Sequence, residues 1–317
     1  MKRILGVSIL LILLSVGMIG CGQGNADSSG STNSSEGKDS FKIGYSINTL
    51  NNPFFVQVKE AAEKAANETG VDLSIINANS DLSTQMNGIE DLIQQQIDVL
   101  IIDPVDSEGS VPSVMAANEA GIPVITTGRR IEGGEVATHL GYDEVKNGET
   151  AGNYLAELIK EEGKIIELQG TTGTDVARQR SEGFQQAVNN YPDIEIVASQ
   201  SADFDRAEAL TVVESILQSN PDVIGLYAAN DEMGLGALQA IESANIAEFF
   251  IVSNDGTEEA LQSVANGGLA GTMAISPDEY GLKTIETAVE IAAGKSAPEF
   301  IELPSNLINV DNVENTN

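Results

Sequence analysis

Polar and aromatic side chains recur at one kind of position in this sequence, directly after short β-like apolar runs. The stretch NTLNNPFF (48–55) follows the first such run, and carboxylates, amides and guanidinium groups follow later ones. These residues are Asn52, Phe54, Phe55, Asp103, Arg129, Arg130, Arg178, Phe204, Asn230, Asp231, Asn254 and Asp255. A sugar offers hydroxyl groups that donate and accept hydrogen bonds, and C–H-rich ring faces that pack on phenyl rings. The set therefore contains the groups that hold a sugar-like ligand.

Each of these residues, taken alone, also fits an ordinary structural role. Four belong to the types that cap helices or form turns: Asp103, Asp231, Asn254 and Asp255. Arg178 could be solvated or pair with Glu182 at i, i+4. Phe204 is harder to explain in this way, because it lies between two aspartates where a helix is predicted to start. All of these residues lie in segments that follow predicted strands, and this shared position favours the binding interpretation.

Motifs for catalysis or for a cofactor are scarce. His139 is the only histidine and has no cysteine or second histidine near it in sequence, so we predict a structural role for it and no metal site. No G-x-S-x-G, P-loop or G-x-G-x-x-G motif follows a predicted strand, and QGTTGTDVARQR (169–180) lacks the lysine of a phosphate-binding loop. We therefore expect no enzymatic activity and no cofactor.

From residue 41 onward, β-branched runs alternate with amphipathic segments. The predicted strands are 41–47, 71–77, 98–102, 122–126, 164–169, 194–200, 222–227, 248–252 and 269–275. The predicted helices are 54–68, 81–96, 106–120, 145–162, 174–190, 205–219, 230–244, 257–266 and 278–293, followed by an extended tail at 299–310. This alternation predicts an α/β protein with two doubly wound, Rossmann-like domains, since a single parallel sheet of so many strands would be unusually wide.

The polar stretch THLGYDEVKNGE (138–149) is the natural crossing point between the two domains. We predict an N-terminal lobe of 41–142 plus 276–304 and a C-terminal lobe of 143–275 plus 305–317. Three segments near 142, 275 and 304 then form the hinge. Ligands of open α/β sheets bind at the carboxyl ends of the strands, so the expected site is the cleft between the lobes.

The N-terminus has the features of an export signal. Lys2 and Arg3 precede an apolar run that is followed by Gly20 and Cys21, so residues 1–20 are predicted to be a signal peptide. MIGC (18–21) resembles a lipobox, and Cys21 is the only cysteine in the chain. We therefore expect lipidation at Cys21, followed by a flexible, polar linker that extends to residue 40. The predicted location is extracytoplasmic and lipid-anchored, on the outer face of the cytoplasmic membrane or in the periplasm.

The charge balance excludes one class of partner. The chain has 48 acidic and 16 basic residues, a formal net charge of −32. Such a surface repels phosphate backbones, so nucleic acid is not an expected partner. Adaptation to a saline habitat is a separate explanation of the acidity, and composition alone leaves it open.

Long motifs in one order give the chain a family resemblance. They are TLNNPFF, IIDPVDS, GIPVIT, IELQGTTGT, ARQRSEGFQQAV, SQSADFDR, ANDEMGLGAL, NDGT and GGLAGTMAISPD, spread over residues 41–303. With these motifs the chain resembles the type I periplasmic substrate-binding proteins of sugar ABC transporters, of the ribose-binding kind. The resemblance implies a monosaccharide or polyol ligand, an ABC transporter permease as partner, membrane attachment through the lipid and a monomeric state.

Carried over by position, the family's ligand contacts fall on twelve residues. They are Asn52, Phe54, Phe55, Asp103, Gly128, Arg129, Arg178, Phe204, Asn230, Asn254, Asp255 and Ile275. Four depart from the family's ribose pattern, in which asparagine, aspartate, an aromatic residue and glutamine are usual at Asp103, Gly128, Asn254 and Ile275 respectively. The hydrogen bonds lost at Gly128 and Ile275 argue against ribose. Asp103 and Asp255 would repel an anion, so we expect a neutral ligand such as a deoxy sugar, a hexose or a short polyol.

Other functions share parts of these features. A subunit that presents a sugar to a chemoreceptor or histidine kinase would have the same sequence pattern, and this alternative stays open. Regulators of the lac-repressor family have the same two-domain core, but the export signal and acidic balance argue against DNA binding. An exported enzyme is the remaining alternative.

Overall fold

The structure of the protein is a computed structural model that describes residues 40–315. The predictions for the signal peptide (1–20), Cys21 and the linker up to residue 39 lie outside the described residues. Within 40–315, no helix combines the length and the apolar character needed to cross a membrane.

Strands and helices alternate along most of the described chain. The strands are β1 (Lys42–Ile47), β2 (Asp72–Asn77), β3 (Val99–Ile102), β4 (Val124–Thr127), β5 (Thr138–Gly141), β6 (Glu162–Gln169), β7 (Asp193–Ser201), β8 (Val223–Ala228), β9 (Phe250–Asp255), β10 (Gly271–Ile275), β11 (Phe300–Glu302) and β12 (Ser305–Asn309). The helices are α1 (Pro53–Thr69), α2 (Leu82–Gln94), α3 (Val111–Glu119), α4 (Glu144–Leu158), α5 (Asp175–Val188), α6 (Arg206–Ser219), α7 (Asp231–Ser243), α8 (Glu258–Ala265) and α9 (Pro277–Ala292), with a short 3₁₀ turn at Val313–Asn315.

The strands form two six-stranded sheets. The first has the order β11-β5-β4-β3-β1-β2 and is parallel throughout. The second has the order β12-β10-β9-β8-β6-β7 and is parallel except for the pairing of β12 with β10. We call the first sheet with α1, α2, α3 and α9 the first lobe, and the second sheet with α4 to α8 the second lobe. The α/β fold with two doubly wound sheets is thus confirmed.

The chain passes between the sheets three times. It leaves the first sheet between β5 and α4, returns between β10 and α9, and crosses again between β11 and β12, where Leu303 and Pro304 separate the two strands. Residues 299–310 were predicted to be one extended tail, yet they contain β11 and β12, and each of these strands closes a different sheet. β5 is absent from the list of predicted strands, because Thr138–Gly141 is only four residues long and has no clear apolar run, although all four residues are buried.

Side-chain alternation in the central strands builds the core of the first lobe. Val99 and Ile101 pack with α1 and α9 on one face, while Leu100 and Ile102 pack with α2 and α3 on the other. All four side chains are fully buried. A parallel sheet covered on both faces requires such unbroken apolar strands, and this explains why the run VLII is readable in the sequence.

Helices α4 and α5 of the second lobe cross at a contact that only glycine permits. A Cβ atom added at Gly183 would meet the carbonyl group of Val145, and one added at Gly148 would meet the carbonyl group of Arg180. The two backbones therefore approach each other directly. This approach brings the first residue of α4, Glu144, next to Arg180 on α5.

We expect Gly183→Ala to destabilise the protein, because a methyl group has no space at this crossing. Overpacking of this kind costs about 1–3 kcal/mol, and more where backbone atoms must move. Urea or thermal unfolding would measure the loss against Gln186→Ala, a control on the exposed side of the same helix. Equal stability of the two variants would contradict the described crossing.

Candidate ligand-binding site

A cavity of about 220 Å³ lies between the two lobes, at the carboxyl ends of both sheets. The first lobe and the segment that leaves it contribute Asn48, Thr49, Asn51, Asn52, Phe54, Phe55, Ser80, Asp103, Val105, Gly128, Arg129, Tyr142 and Tyr280. The second lobe contributes Glu144, Thr171, Val176, Arg180, Asp203, Phe204, Asp205, Arg206, Asn230, Glu232, Asp255 and Ile275. The volume suits a small molecule, since a site of about 10–15 Å³ in a comparable measure already holds one water molecule.

The structure brings ten of the twelve predicted contact residues into the cavity wall. They are Asn52, Phe54, Phe55, Asp103, Gly128, Arg129, Phe204, Asn230, Asp255 and Ile275. Arg178 and Asn254 are not part of the wall. Asn52 and Asn230 also cap helices, because their side chains accept hydrogen bonds from the backbone N–H groups of Phe54 and Met233. The capping and binding interpretations are thus compatible at these two positions.

The structure places Arg180, and not Arg178, in the cavity wall. The Arg178 side chain is 54% exposed and pairs with Glu132, whereas Arg180 is buried in the cavity wall. With 3.6 residues per turn, residues two apart on a helix point in nearly opposite directions. The apolar spacing of Val176 and Phe184, each four residues from Arg180, is the signal that would have identified the inward-facing arginine.

Asn254 lies behind the wall. Its Nδ2 donates to the Tyr227 hydroxyl at 2.9 Å, and the side chain is buried within the second lobe. Successive side chains in a strand point to opposite faces, so in β9 Asp255 reaches the cavity and Asn254 does not. Of the four departures from the ribose pattern, only Asp103, Gly128 and Ile275 are therefore in the wall.

Aromatic rings line the cavity from both lobes. Phe54 and Phe55, in the first turn of α1, meet edge to face with centroids 5.3 Å apart. Phe204 comes from the second lobe, and the Arg129 guanidinium lies 5.6 Å from its ring centroid. Phe204 has a left-handed backbone with φ of 59°, a strained conformation for a bulky residue, and a Cβ atom at Gly170 would collide with its ring. The strained backbone of Phe204 thus directs the ring, and the absence of a side chain at Gly170 leaves room for it.

Arg180 is the centre of a buried charge network. It donates to both carboxylate oxygens of Glu144 at 2.7 and 3.1 Å, to the Ala229 carbonyl at 2.6 Å and to Asp255 Oδ1 at 3.3 Å. Burial opposes its charge, but Glu144 and Asp255 outweigh that effect and raise the pKa of Arg180. Burial also raises the pKa of Asp255, against the opposing influence of Arg180. The arginine therefore presents a largely neutralised surface to the cavity.

The Asp103 carboxylate is only half satisfied. Its Oδ2 accepts a hydrogen bond from Asn48 at 2.5 Å, whereas its Oδ1 has no partner among the described residues. Burial raises the pKa of Asp103 to about 7, with Arg129 opposing the rise. The hydroxyls of Tyr142 and Tyr280, two further wall residues, also lack partners. Asn48 Oδ1 is a fourth unpaired atom among the wall residues, and because native proteins rarely leave buried polar atoms unpaired, we expect ligand groups to pair with atoms of this set.

Contacts between the lobes surround the cavity. Arg130 N donates to Asp175 Oδ1 at 3.1 Å, and Asp175 N donates to Ser107 Oγ at the same distance. Arg178 pairs with Glu132 across the same gap. Because Ser107, Arg130 and Glu132 follow strands of the first sheet and Asp175 and Arg178 start α5, these bonds join the two lobes.

The wall carries more carboxylates than guanidinium groups. The acidic members are Asp103, Glu144, Asp203, Asp205, Glu232 and Asp255, against Arg129, Arg180 and Arg206. Arg206 is itself paired with Glu232 at 2.8 Å. Excess negative charge in a partly desolvated cavity disfavours an anionic ligand.

No group of three or more possible metal ligands occurs among the described residues. His139 lies in β5, where its ring stacks on Phe300 with centroids 5.7 Å apart and its Nδ1 lies 2.9 Å from Thr126 Oγ1. Burial and then Arg130 lower the pKa of His139 to about 3. The ring is therefore neutral at physiological pH.

We expect Asp103→Asn to raise stability in neutral and alkaline solution. A carboxyl whose folded pKa exceeds its unfolded value stabilises the fold most below the unfolded value, and this contribution is lost as the pH rises through the folded pKa. The variant should therefore exceed the wild type by about 2–4 kcal/mol at pH 8 and match it near pH 4. Urea unfolding of the ligand-free proteins at both pH values measures this, and a difference independent of pH would refute it.

Comparison with known proteins identifies the family of this chain. The periplasmic binding protein domain matches residues 43–296. The ribose import binding protein RbsB of Escherichia coli K12 is 42% identical over 249 residues, which are 78% of this chain and 84% of that protein.

Solved structures agree with this match. An ABC transporter solute-binding protein from Mycobacterium smegmatis with bound glycerol has 39% identity and a TM-score of 0.84, covering 87% of this chain and 96% of its own. One from Actinobacillus succinogenes 130z with bound D-allose has 30% identity and a TM-score of 0.82, covering 87% and 99%. These homologues are binding proteins, which confirms the prediction that the chain is not an enzyme. The chain belongs to the periplasmic binding protein family, as a type I sugar-binding protein of the ribose-binding kind.

Proposed function

We propose that this protein captures a neutral monosaccharide or polyol other than ribose in the cavity between its lobes and delivers it to an ABC transporter permease. The observation that carries the proposal is the wall itself, in which rings from both lobes, Phe54 and Phe204, face a rim of carboxylates, amides and guanidinium groups. Rings of this kind pack on the faces of a sugar, and the polar rim meets its hydroxyls. Glycerol and D-allose in the similar structures support a ligand of this chemical class.

A neutral ligand follows from the charges of the wall. Arg180 is already paired with Glu144 and Asp255, so it has little positive charge to offer an anion. Asp103 contributes an unpaired carboxylate oxygen that calls for a hydrogen-bond donor. Sugar hydroxyls provide such donors without bringing a charge.

The two lobes act as separate domains, and they close on the ligand by movement about the three crossing segments. The bonds from Asp175 to Arg130 and Ser107 would then form on closure. The protein acts as a monomer at the outer face of the cytoplasmic membrane or in the periplasm, held there by lipid on Cys21. The motif MIGC at 18–21 is the support for this anchor.

Phe204→Ala should weaken binding at least about tenfold, because the variant removes the ring that covers one face of the ligand. Calorimetry with the tightest neutral ligand from a thermal-shift screen of pentoses, hexoses, deoxy sugars and polyols measures the loss. Arg178→Ala is the control and should change affinity by less than about fivefold, since an exposed ion pair contributes at most about 1 kcal/mol.

The same screen tests the ligand class. Wild-type protein should bind at least one neutral sugar or polyol at least about tenfold more tightly than ribose, the difference expected from one hydrogen bond. Tighter binding of ribose than of every other member would refute the specificity, and binding of none would refute the function.

Cys21→Ala should release the protein from the membrane. When the full chain is expressed in a bacterial host competent for lipoprotein processing, the wild type should partition into detergent and the variant into the aqueous phase. Ligand affinity should be the same for both, since the wall residues of the described chain all lie between positions 48 and 280. Aqueous partition of the wild type would count against the anchor.

A further inference from the structure

The space beside Gly128 is occupied by a side chain from a distant part of the sequence. Gly128 follows β4 with φ of 64°, and a Cβ atom built there would lie 2.8 Å from the Tyr280 hydroxyl oxygen and 3.7 Å from Asp103 Oδ1. A glycine at 128 therefore leaves room for the phenol of Tyr280, and it places that phenol beside the Asp103 carboxylate. All three residues belong to the cavity wall.

Packing fixes the Tyr280 ring. Its centroid lies 6.0 Å from that of Phe54 in an edge-to-face contact and 6.1 Å from that of Tyr142 in a stacked contact. Tyr280 lies in the first turn of α9, which Ser276 caps by accepting a hydrogen bond from Glu279 N at 3.1 Å. The side chain is buried, so it loses no further rotamer freedom when a ligand binds.

The Tyr280 hydroxyl is a donor without a well-aligned acceptor among the described residues, although the side chains of Thr127 and Tyr45 lie close enough to affect its pKa. The neighbouring Asp103 Oδ1 likewise lacks a hydrogen-bond partner among the described residues. Burial, with Tyr45 and Asp103 nearby, raises the pKa of Tyr280 well above its ordinary value, so the phenol keeps its proton. An unmade hydrogen bond at a buried site is costly, and a ligand that makes it gains the corresponding affinity.

A phenol and a carboxylate side by side have complementary hydrogen-bonding senses. Above its raised pKa of about 7 the Asp103 carboxylate is ionised and only accepts hydrogen bonds, whereas a phenol can donate one. A ligand hydroxyl placed between them accepts from Tyr280 and donates its own proton to Asp103 Oδ1. A carboxylate or phosphate group would meet the negative charge of Asp103, and a methyl group would leave both protein atoms unpaired.

We propose that Tyr280 is a specificity-determining residue, whose hydroxyl, together with Asp103, selects one neutral hydroxyl group of the ligand. The inference rests on the proposed function, because it assigns a role within the same cavity. It extends that function by naming the group that this part of the wall recognises, an alcohol that both accepts and donates.

Tyr280→Phe tests the proposal, because it removes one oxygen atom and retains the ring contacts. The probe is the tightest binder among D-ribose, D-allose, xylitol and myo-inositol, with affinities from calorimetry. The variant should bind this probe about tenfold or more weakly. Tyr227→Phe is the matched control: that phenol is also buried, but it accepts from Asn254 outside the cavity, and affinity should stay within about twofold.

Monodeoxy derivatives of the probe separate recognition from a general structural effect. For the derivative that lacks the selected hydroxyl, wild type and Tyr280→Phe should bind equally, because the interaction is already absent. An equal loss for every derivative would overturn the proposal in favour of a structural role, and so would unchanged affinity of Tyr280→Phe for the probe. Failure of the wild type to bind any of the four probes would instead contradict the proposed function.

Discussion

A buried guanidinium group must be neutralised where it lies, and the second lobe is organised around this requirement at Arg180. The side chain is 6% exposed, and it meets Glu144 through two hydrogen bonds. That contact requires α4 and α5 to cross at backbone distance, which in turn requires Gly148 and Gly183. Removing one partner of such a pair would leave a buried charge and cost about 3–5 kcal/mol. The wall of the cavity and the packing of the lobe are thus parts of one arrangement.

The two walls of the cavity consequently differ in what they offer a ligand. In the second lobe, Arg180 and Asp255 already satisfy one another, and the Phe204 ring provides an apolar face. In the first lobe, Asp103 Oδ1 and the Tyr280 hydroxyl lack partners. We therefore expect the first lobe to supply most of the direction and specificity of hydrogen bonding to a ligand, while the second lobe supplies shape and paired charges. A ligand in the cavity could pair with Asp103 Oδ1 and the Tyr280 hydroxyl, which no side chain among the described residues of either lobe does.

The sequence predicted most of the fold because buried parallel strands and amphipathic helices have distinct periods. It failed where the period was too short to read, as at Thr138–Gly141, whose four residues include a histidine and a threonine. Within the site, strand-end positions named eight of the residues that the structure places in the wall, and the family resemblance added Gly128 and Ile275. Arg178 and Asn254 lie outside the wall, one face of a helix and one face of a strand away from it, because position along the chain does not fix the orientation of a side chain.

Tyr280 shows a different limit of sequence reasoning. It lies 152 positions beyond Gly128, in a helix that no motif singles out, yet its hydroxyl fills the space that glycine leaves. A glycine in a binding motif looks like the loss of a side chain when it is considered alone. The fold supplies another side chain to the same point, one that can donate a hydrogen bond. The residue type at one wall position shows which side chain is missing there. The side chain that takes its place is known only from the packing of α9 against α1 and β3. We therefore expect ligand preference in this chain to depend on residue pairs such as Gly128 and Tyr280, which single positions do not reveal.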